Sequence, residues 1–236
     1  MPLTTLPVRD VIRATPRTRH LRIDTGDTGF AYRAGQAVMV GLHGSPLRKP
    51  YSIASAPSET SRAGSIELLV QVDDSGGPDP HLELAAPGTP LDVEGPFGSF
   101  SLPAVDDEPA FLMVAGGTGI AHLRSMMVEA LSRPVPPRIS LVYSARSVDE
   151  LAYRAELERL AAAGRIVLVM TVTRDDRPGW SGRRGRIDRS MLAAVLPGAE
   201  TWCLICGPQA MIEDVRASVS SLGIPESRVG VERYDA

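Results

Sequence analysis

Apolar positions follow two different rules along the chain. Up to about residue 102 they alternate with polar ones or come in short runs: Leu21-Arg22-Ile23, Ala37-Val38-Met39-Val40 and Ile66-Glu67-Leu68-Leu69-Val70-Gln71-Val72. Successive side chains of a strand point to opposite faces, so these patterns predict strands. Gly26, Gly35, Gly44, Pro57, Gly64, Gly76, Gly77, Gly88 and Gly95 punctuate them as turns. Many short strands at this spacing predict a closed antiparallel β-barrel. One helix is expected in this half, with Asp79 as N-cap and Pro80 as first helical residue ahead of His81-Leu82-Glu83-Leu84.

From about residue 108 continuous apolar runs alternate with helical stretches. The runs are Phe111-Leu112-Met113-Val114-Ala115, Ile139-Ser140-Leu141-Val142-Tyr143, Ile166-Val167-Leu168-Val169-Met170 and Trp202 to Cys206. Helices are expected at about 119–132, 148–163, 188–195 and 208–222. This alternation predicts an α/β doubly wound parallel sheet, in which ligands bind beyond the carboxyl ends of the strands. Ser101 to Pro109, with Pro103, Pro109 and Asp106-Asp107-Glu108, reads as the linker between a domain at 1–102 and one at 108–236. No internal repeat or low-complexity tract interrupts either half.

Composition narrows the picture. The 236 residues suffice for two domains, of roughly 100 and 130 residues, each with a workable core. A hydrophobic fraction of 43% and a charged fraction of 22% are those of a globular protein, and a net charge of −3 argues against general nucleic-acid binding. No segment approaches the ~20 apolar residues of a membrane helix, and Met1 to Asp10 lacks the apolar run of a leader, so a cytoplasmic location is expected. Cys203 and Cys206 form a Cys-x-x-Cys, but three residues apart on a strand they face opposite ways, which argues against a disulfide. Two cysteines also fall short of the four thiolates of an iron–sulfur cluster.

Candidate chemistry gathers after the strands of the second half. Gly116-Gly117-Thr118-Gly119-Ile120 follows the first strand and opens a helix, a placement that lets backbone N–H groups approach a pyrophosphate. Arg146 ends the second strand, Thr173-Arg174 the third, and Arg186 lies just beyond. Guanidinium groups at this edge suit a phosphate dianion, and no acidic residue stands at the end of the second strand to bind a ribose diol. The first half holds Arg48-Lys49-Pro50-Tyr51-Ser52-Ile53-Ala54-Ser55. Cations suit a phosphate, an aromatic ring suits a flat heterocycle and a hydroxyl suits a ring nitrogen, a combination that fits a flavin nucleotide.

These segments resemble, in order, the signatures of the ferredoxin–NADP reductase superfamily. Arg33-Ala34-Gly35-Gln36 resembles its turn before the flavin strand, Lys49-Pro50-Tyr51-Ser52 its Arg-x-Tyr-Ser, and Glu94-Gly95-Pro96-Phe97-Gly98-Ser99-Phe100 its Gly-Pro-x-Gly-x-Phe. Gly116 to His122 resembles Gly-Gly-Thr-Gly-Ile-Ala-Pro, Cys206-Gly207-Pro208-Gln209-Ala210-Met211 resembles Cys-Gly-Pro-x-x-Met, and Glu232-Arg233-Tyr234 resembles a closing Glu-x-aromatic segment. The resemblance implies bound FAD, with FMN as the alternative. It places the flavin against Arg48, Lys49, Pro50, Tyr51, Ser52, Leu69, Val70, Gly77, Pro78 and Asp79. It places a nicotinamide nucleotide, NADPH rather than NADH, against Gly117, Thr118, Gly119, Arg146, Thr173, Arg174, Arg186, Cys206, Gly207, Pro208 and Met211. Ser52, Cys206, Glu232 and Tyr234 would shape the reactive edge, with nicotinamide C4 against flavin N5 in a cleft between the domains.

Three departures from the signatures stand out. Lys49 replaces an arginine, with Arg48 one place earlier, and Asp79 falls where a serine or threonine is usual near the pyrophosphate. His122 replaces a proline and is expected as an exposed surface histidine, a role near the nicotinamide being the sharper alternative. The implied function is hydride transfer from NADPH to FAD, then single electrons to a separate iron–sulfur protein, flavodoxin or oxygenase component. Two rivals remain: a flavin reductase that releases its flavin, and an electron-transfer subunit of a larger complex. A monomer is expected for the first reading.

Overall fold

Among the described residues, twelve strands and five α-helices carry the chain. The computed structural model describes residues 3–26, 28–72, 79–103, 110–198 and 200–233. They fall into two compact units, Met1–Leu102 with Arg124–Glu129, and Pro103–Leu123 with Ala130–Ala236.

The first unit contains β1 (Leu3–Thr15), β2 (Thr18–Asp24), β3 (Ala37–Leu42), β4 (Lys49–Ser52), α1 (Pro57–Ala63), β5 (Ser65–Gln71) and β6 (Pro90–Phe97). Its sheet runs β4-β3-β6-β1-β2-β5, antiparallel throughout. The two edge strands meet where Ile53 bridges Leu68 and the Ala54 N–H donates to the Glu67 carbonyl at 2.7 Å, which closes the barrel. Closure removes the unpaired edges an open sheet would leave. Alternate residues point inward, and Leu21, Ile23, Val38, Val40, Ile66, Leu68, Leu91 and Val93 make a buried core. The strand expectations hold and extend to β1, β4 and β6.

Two local expectations are corrected. Pro57 does not punctuate a turn but opens α1, where its missing N–H costs nothing. Its N-cap is Ala56, whose N–H donates to Glu59 Oε2 at 2.8 Å. The helix expected from Asp79 shrinks to a 3-10 turn at Leu82–Leu84, because His81 adopts a left-handed backbone with φ 48° between Pro80 and Leu82. Asp79 still caps locally, its Oδ1 accepting from the His81 N–H at 2.8 Å.

The second unit contains β7 (Ala110–Gly116), the ends of α2 (Ile120–Leu131, whose Arg124–Glu129 fall in the first unit), β8 (Arg138–Ala145), α3 (Arg154–Ala162), β9 (Val167–Val172), β10 (Arg183–Arg184), α4 (Arg189–Val195), β11 (Thr201–Gly207), α5 (Gln209–Ser221) and β12 (Val229–Arg233). Its parallel sheet is ordered β10-β9-β8-β7-β11-β12. The chain enters at β7, steps outward through β8 and β9, then returns to lay β11 on the other side of β7. The strand order therefore reverses between β7 and β11, where such sheets bind ligands. Every residue of β7 is buried, as a central strand covered on both faces requires. The helix expected at 148–163 is interrupted: a 3-10 turn at Val148–Glu150 precedes α3, and Tyr153 takes φ 60° between them.

Candidate functional site

The flavin-like segment of the first unit is a short strand whose exit is clamped. In β4, Lys49, Tyr51 and Ser52 pair with Val40, Val38 and Ala37. Tyr51 is half-buried and packs on the barrel core. Just beyond β4, hydrogen bonds clamp the Ala54–Ser55 segment. Arg124 Nη1 donates to the Ala54 carbonyl at 2.8 Å, and the Ser55 carbonyl accepts from Ser125 Oγ at 2.6 Å and Tyr32 Oη at 2.9 Å. Burial pushes the Tyr32 phenol up to about 12, so it stays a donor. Gln36 joins two of the motifs, accepting from the Arg33 N–H at 2.8 Å and donating to the Gly98 carbonyl at 3.3 Å. Leu69 and Val70 are buried in β5.

Charges at this strand are already compensated. Lys49 Nζ forms an ion pair with Asp79, and Arg48 Nη1 lies 3.4 Å from Glu94 Oε2. The two cations expected to face a phosphate thus each face a carboxylate. A phosphate arriving at Lys49 would have to compete with Asp79, whose side chain is only 7% exposed. Pro50 is exposed. Gly77, Pro78 and Tyr234 lie outside the described residues.

In the second unit the ends of β7 and β11 interlock through glycines. Gly117–Gly119 makes a 3-10 turn that runs straight into α2, the Ile120 N–H donating back to the Gly117 carbonyl, so the glycine turn itself forms the leading end of the helix. A Cβ on Gly119 would stand 2.7 Å from the Cys206 carbonyl carbon and 3.0 Å from its Sγ. A Cβ on Gly116 would stand 2.7 Å from Met211 Sδ and 3.0 Å from Pro208 Cδ. Only bare backbone lets the two turns approach this closely, which leaves a cradle suited to a dinucleotide's pyrophosphate. Tyr143, fully buried in β8, donates its hydroxyl to the Gly117 carbonyl and accepts from the Ala152 N–H, both at 3.2 Å.

His122 is not an exposed surface residue: it is 8% exposed, with Nδ1 3.6 Å from Cys206 Sγ. Gly119 is the reason. Its lack of a side chain lets the first turn of α2 press on the tip of β11, and His122, three residues on, shares that helix face. Burial lowers the imidazole to about 4, so it is neutral at pH 7. Burial, with the Glu232 charge added, raises the Cys206 thiol well above the usual range. Glu232 stands opposite Cys206 in the β11–β12 register and is itself raised by burial. Cys203 is buried in the core, its thiol pushed up to about 12 by burial, and both cysteines are free.

The arginine edge divides into fixed and uncommitted groups. Arg177 is held by Asp175 and by Asp149 at 3.0 Å, and the Arg177 hydrogen bonds and the Val148 N–H hold Asp175 well below the usual carboxylate range. Arg146 and Arg174 are neighbours, the Arg174 N–H donating to the Arg146 carbonyl at 2.8 Å. Thr173 N–H donates to the Ala145 carbonyl at 3.0 Å beside them. Among the described residues, no hydrogen bond or ion pair engages the guanidinium of Arg146, Arg174 or Arg186, all exposed. The sequence reading passed over Tyr143, Asp175 and the Arg124–Glu59 pair. Only Tyr143, a lone phenol in an aliphatic strand run, carries a local signal.

Among the described residues no helix is long and apolar enough to cross a membrane. The description "Oxidoreductase FAD-binding domain" matches residues 5–102, and "Oxidoreductase NAD-binding domain" matches residues 113–217. Ferredoxin–NADP reductase B of Sorangium cellulosum is 35% identical over 232 residues, covering 94% of this chain and 93% of that protein. The ferredoxin–NAD(+) reductase component of the Xanthobacter autotrophicus alkene monooxygenase system is 34% identical over 205 residues, covering 85% and 61%. The crystal structure of the Amycolatopsis cytochrome P450 reductase GcoB superposes with a TM-score of 0.84 at 26% identity, covering 98% of this chain and 70% of that one. A barrel matching one description, a parallel sheet matching the other, and a relative this similar over nearly the full length of both proteins decide the matter: the chain belongs to the ferredoxin–NADP reductase superfamily and is an NAD(P)H-dependent flavoprotein oxidoreductase.

Proposed function

We propose that this oxidoreductase takes hydride from NADPH onto FAD and delivers electrons singly to a separate protein, an iron–sulfur protein, a flavodoxin or an oxygenase component. FAD, when bound, supplies the conversion between two-electron and one-electron chemistry; the polypeptide supplies binding and orientation. The flavin domain spans 1–102 and the nucleotide domain 108–236. Tyr51, Ser52, Leu69 and Val70 hold the isoalloxazine side, and Lys49 with Arg48 neutralises the phosphates. Gly117 to Gly119 receive the nucleotide pyrophosphate on backbone N–H groups. Cys206, Gly207, Pro208 and Met211 border the nicotinamide, and Ser52, Glu232 and Tyr234 shape the reactive edge. The chain acts as a monomer in the cytoplasm.

The observation that carries the NADPH preference is the pair Arg146 and Arg174, adjacent and exposed, with no partner for either guanidinium among the described residues. Forked donors of this kind fit a 2′-phosphate. The test compares kcat/KM for NADPH and NADH with candidate acceptors, in the parent and in Arg146→Ala/Arg174→Ala. The parent should favour NADPH and the variant should lose that preference. A parent that favours NADH refutes the assignment. The protein should also be yellow and bleach with NADPH in the absence of oxygen.

A second reading has one observation in its favour. Because Lys49 is paired with Asp79, the phosphate side of the flavin is weakly held, which suits a reductase that releases reduced flavin. Gel filtration separates the two: FAD that stays with the protein supports the electron-transfer reductase, and FAD that elutes apart supports the flavin reductase.

A further inference from the structure

The pair formed by His122 and Cys206 has no counterpart in a chain that carries proline at position 122. We propose that His122 is a positioning residue for Cys206, holding its thiol in one rotamer at the tip of β11 and thereby setting how the nicotinamide ring is received there; this rests on the reading that Cys206 borders the nicotinamide.

The two residues come from different strand ends and meet only because the fold presses those ends together. His122 lies in the first turn of α2, after β7; Cys206 lies at the end of β11. Gly119 permits the approach, since any side chain there would overlap the Cys206 carbonyl group. The His122 Nδ1 to Cys206 Sγ distance of 3.6 Å suits a hydrogen bond to sulfur, and both residues are buried, at 8% and 1% exposure. A thiol is a weak donor and a weak acceptor, and otherwise turns about its Cα–Cβ bond. In a buried site a single ring nitrogen is enough to select one of its rotamers.

The pair is not an activated nucleophile. A cysteine becomes reactive when a neighbouring cation stabilises its thiolate. Here burial keeps the imidazole neutral and the thiol protonated, and Glu232 across the strand register strengthens the second effect. What remains is geometry. Hydride transfer depends on placement, and a displacement of about 1 Å can cost on the order of a hundredfold in rate. A thiol free to turn would vary the floor on which the nicotinamide rests.

The experiment uses the flavin-loaded protein in a Cys203→Ala background, which leaves Cys206 as the only thiol. Its S–H stretching band in the infrared reports the hydrogen bond directly. In His122→Leu the band should move and broaden; in His122→Asn, which keeps a polar partner, it should lie between. A band that stays in place in both variants overturns the contact. Stopped-flow reduction of the bound flavin at saturating nucleotide supplies the second readout. The limiting rate should fall by about tenfold or more in His122→Leu and recover in part in His122→Asn, with nucleotide affinity unchanged. A shifted band with an unchanged limiting rate overturns the positioning role. A Cys203→Ala protein whose flavin neither nucleotide reduces sinks the functional reading instead, and the infrared band still decides the contact. If His122→Leu does not fold, His122→Asn carries both measurements.

Discussion

Replacing Arg124 with methionine should destabilise the first unit and weaken flavin retention together. Arg124 is 10% exposed at its side chain and donates hydrogen bonds to the Ala54 carbonyl at 2.8 Å and to Glu59 Oε2 and Oε1 at 2.9 Å each. Glu59 Oε2 also accepts the Ala56 N–H that begins α1. Methionine fills much of the volume but leaves Glu59 and the Ala54 carbonyl without these donors. Removing one partner of a buried pair costs about 3–5 kcal/mol, because the other charge stays behind. The Glu59 side chain is 28% exposed and regains some water, so the lower end, about 3 kcal/mol, applies. The assay is urea denaturation of the flavin-loaded protein at a fixed FAD concentration, with FAD affinity measured by fluorescence titration. Glu59→Gln and the double variant complete a cycle: if the pair acts as a unit, the double variant costs clearly less than the two single losses added. The flavin should bind more weakly because Ala54 and Ser55 carry the backbone out of the Tyr51-Ser52 strand. A loss under about 1 kcal/mol, within the range of an ordinary surface substitution, would refute the reasoning.

Three further outcomes can be measured with the same protein. Burial alone would raise the Glu67 carboxyl, but His20, with Nδ1 3.3 Å from Oε1, the Arg124 charge and the hydrogen bond from Arg22 hold it at about 2 against an ordinary 4.5. Its folded value is depressed, so its contribution, about 3 kcal/mol, is complete above pH 4.5 and lost as pH falls towards 2; Glu67→Gln should be less stable at pH 7 by that amount, and a stability gap that does not close between pH 4.5 and 2 would count against it. Asp79→Ser should remove a carboxylate that pairs with Lys49 and tighten flavin binding by severalfold in equilibrium dialysis, whereas unchanged or weaker binding would show that the ion pair does not oppose the phosphate. Gly119→Ala would force a methyl group against the Cys206 carbonyl, costing about 1–3 kcal/mol in thermal or urea unfolding and weakening nucleotide binding in titration; an unaffected variant would mean that the two turns are not packed as described.

Much of the fold was legible because its information is local. The alternation in Leu21-Arg22-Ile23 and the unbroken run Phe111 to Ala115 distinguish a half-buried strand from a strand covered on both faces, and both became strands of the expected kind. The glycines and the Gly-Pro turn after β7 and β11 were legible for the same reason. What sequence missed depends on partners far along the chain. Ala56 gives no capping signal of its own, and α1 begins there because Glu59 closes back on it and Arg124 anchors Glu59. His122 looked exposed because a polar residue in a helix usually is; its burial follows from a glycine three residues earlier meeting a strand end more than eighty residues away. Lys49 was read as awaiting a phosphate, and its pairing with Asp79 could be seen only in three dimensions.

The reversal of strand order between β7 and β11 separates two kinds of evolutionary freedom. At the reversal, a side chain at Gly119 would strike the Cys206 carbonyl group, and one at Gly116 or Gly207 would displace the Met211 side chain, so substitutions at this end disturb the packing of the two turns. One and two strands from β7, the ends of β8 and β9 present Arg146 and Arg174 to solvent, with no hydrogen bond or ion pair to their guanidinium groups among the described residues. Residues there can change singly without disturbing the interlocked turns. On the proposed assignment, a lineage, or an engineer, could therefore exchange one nicotinamide nucleotide for the other at the rim of this sheet while the end proposed to receive the nicotinamide stays the same.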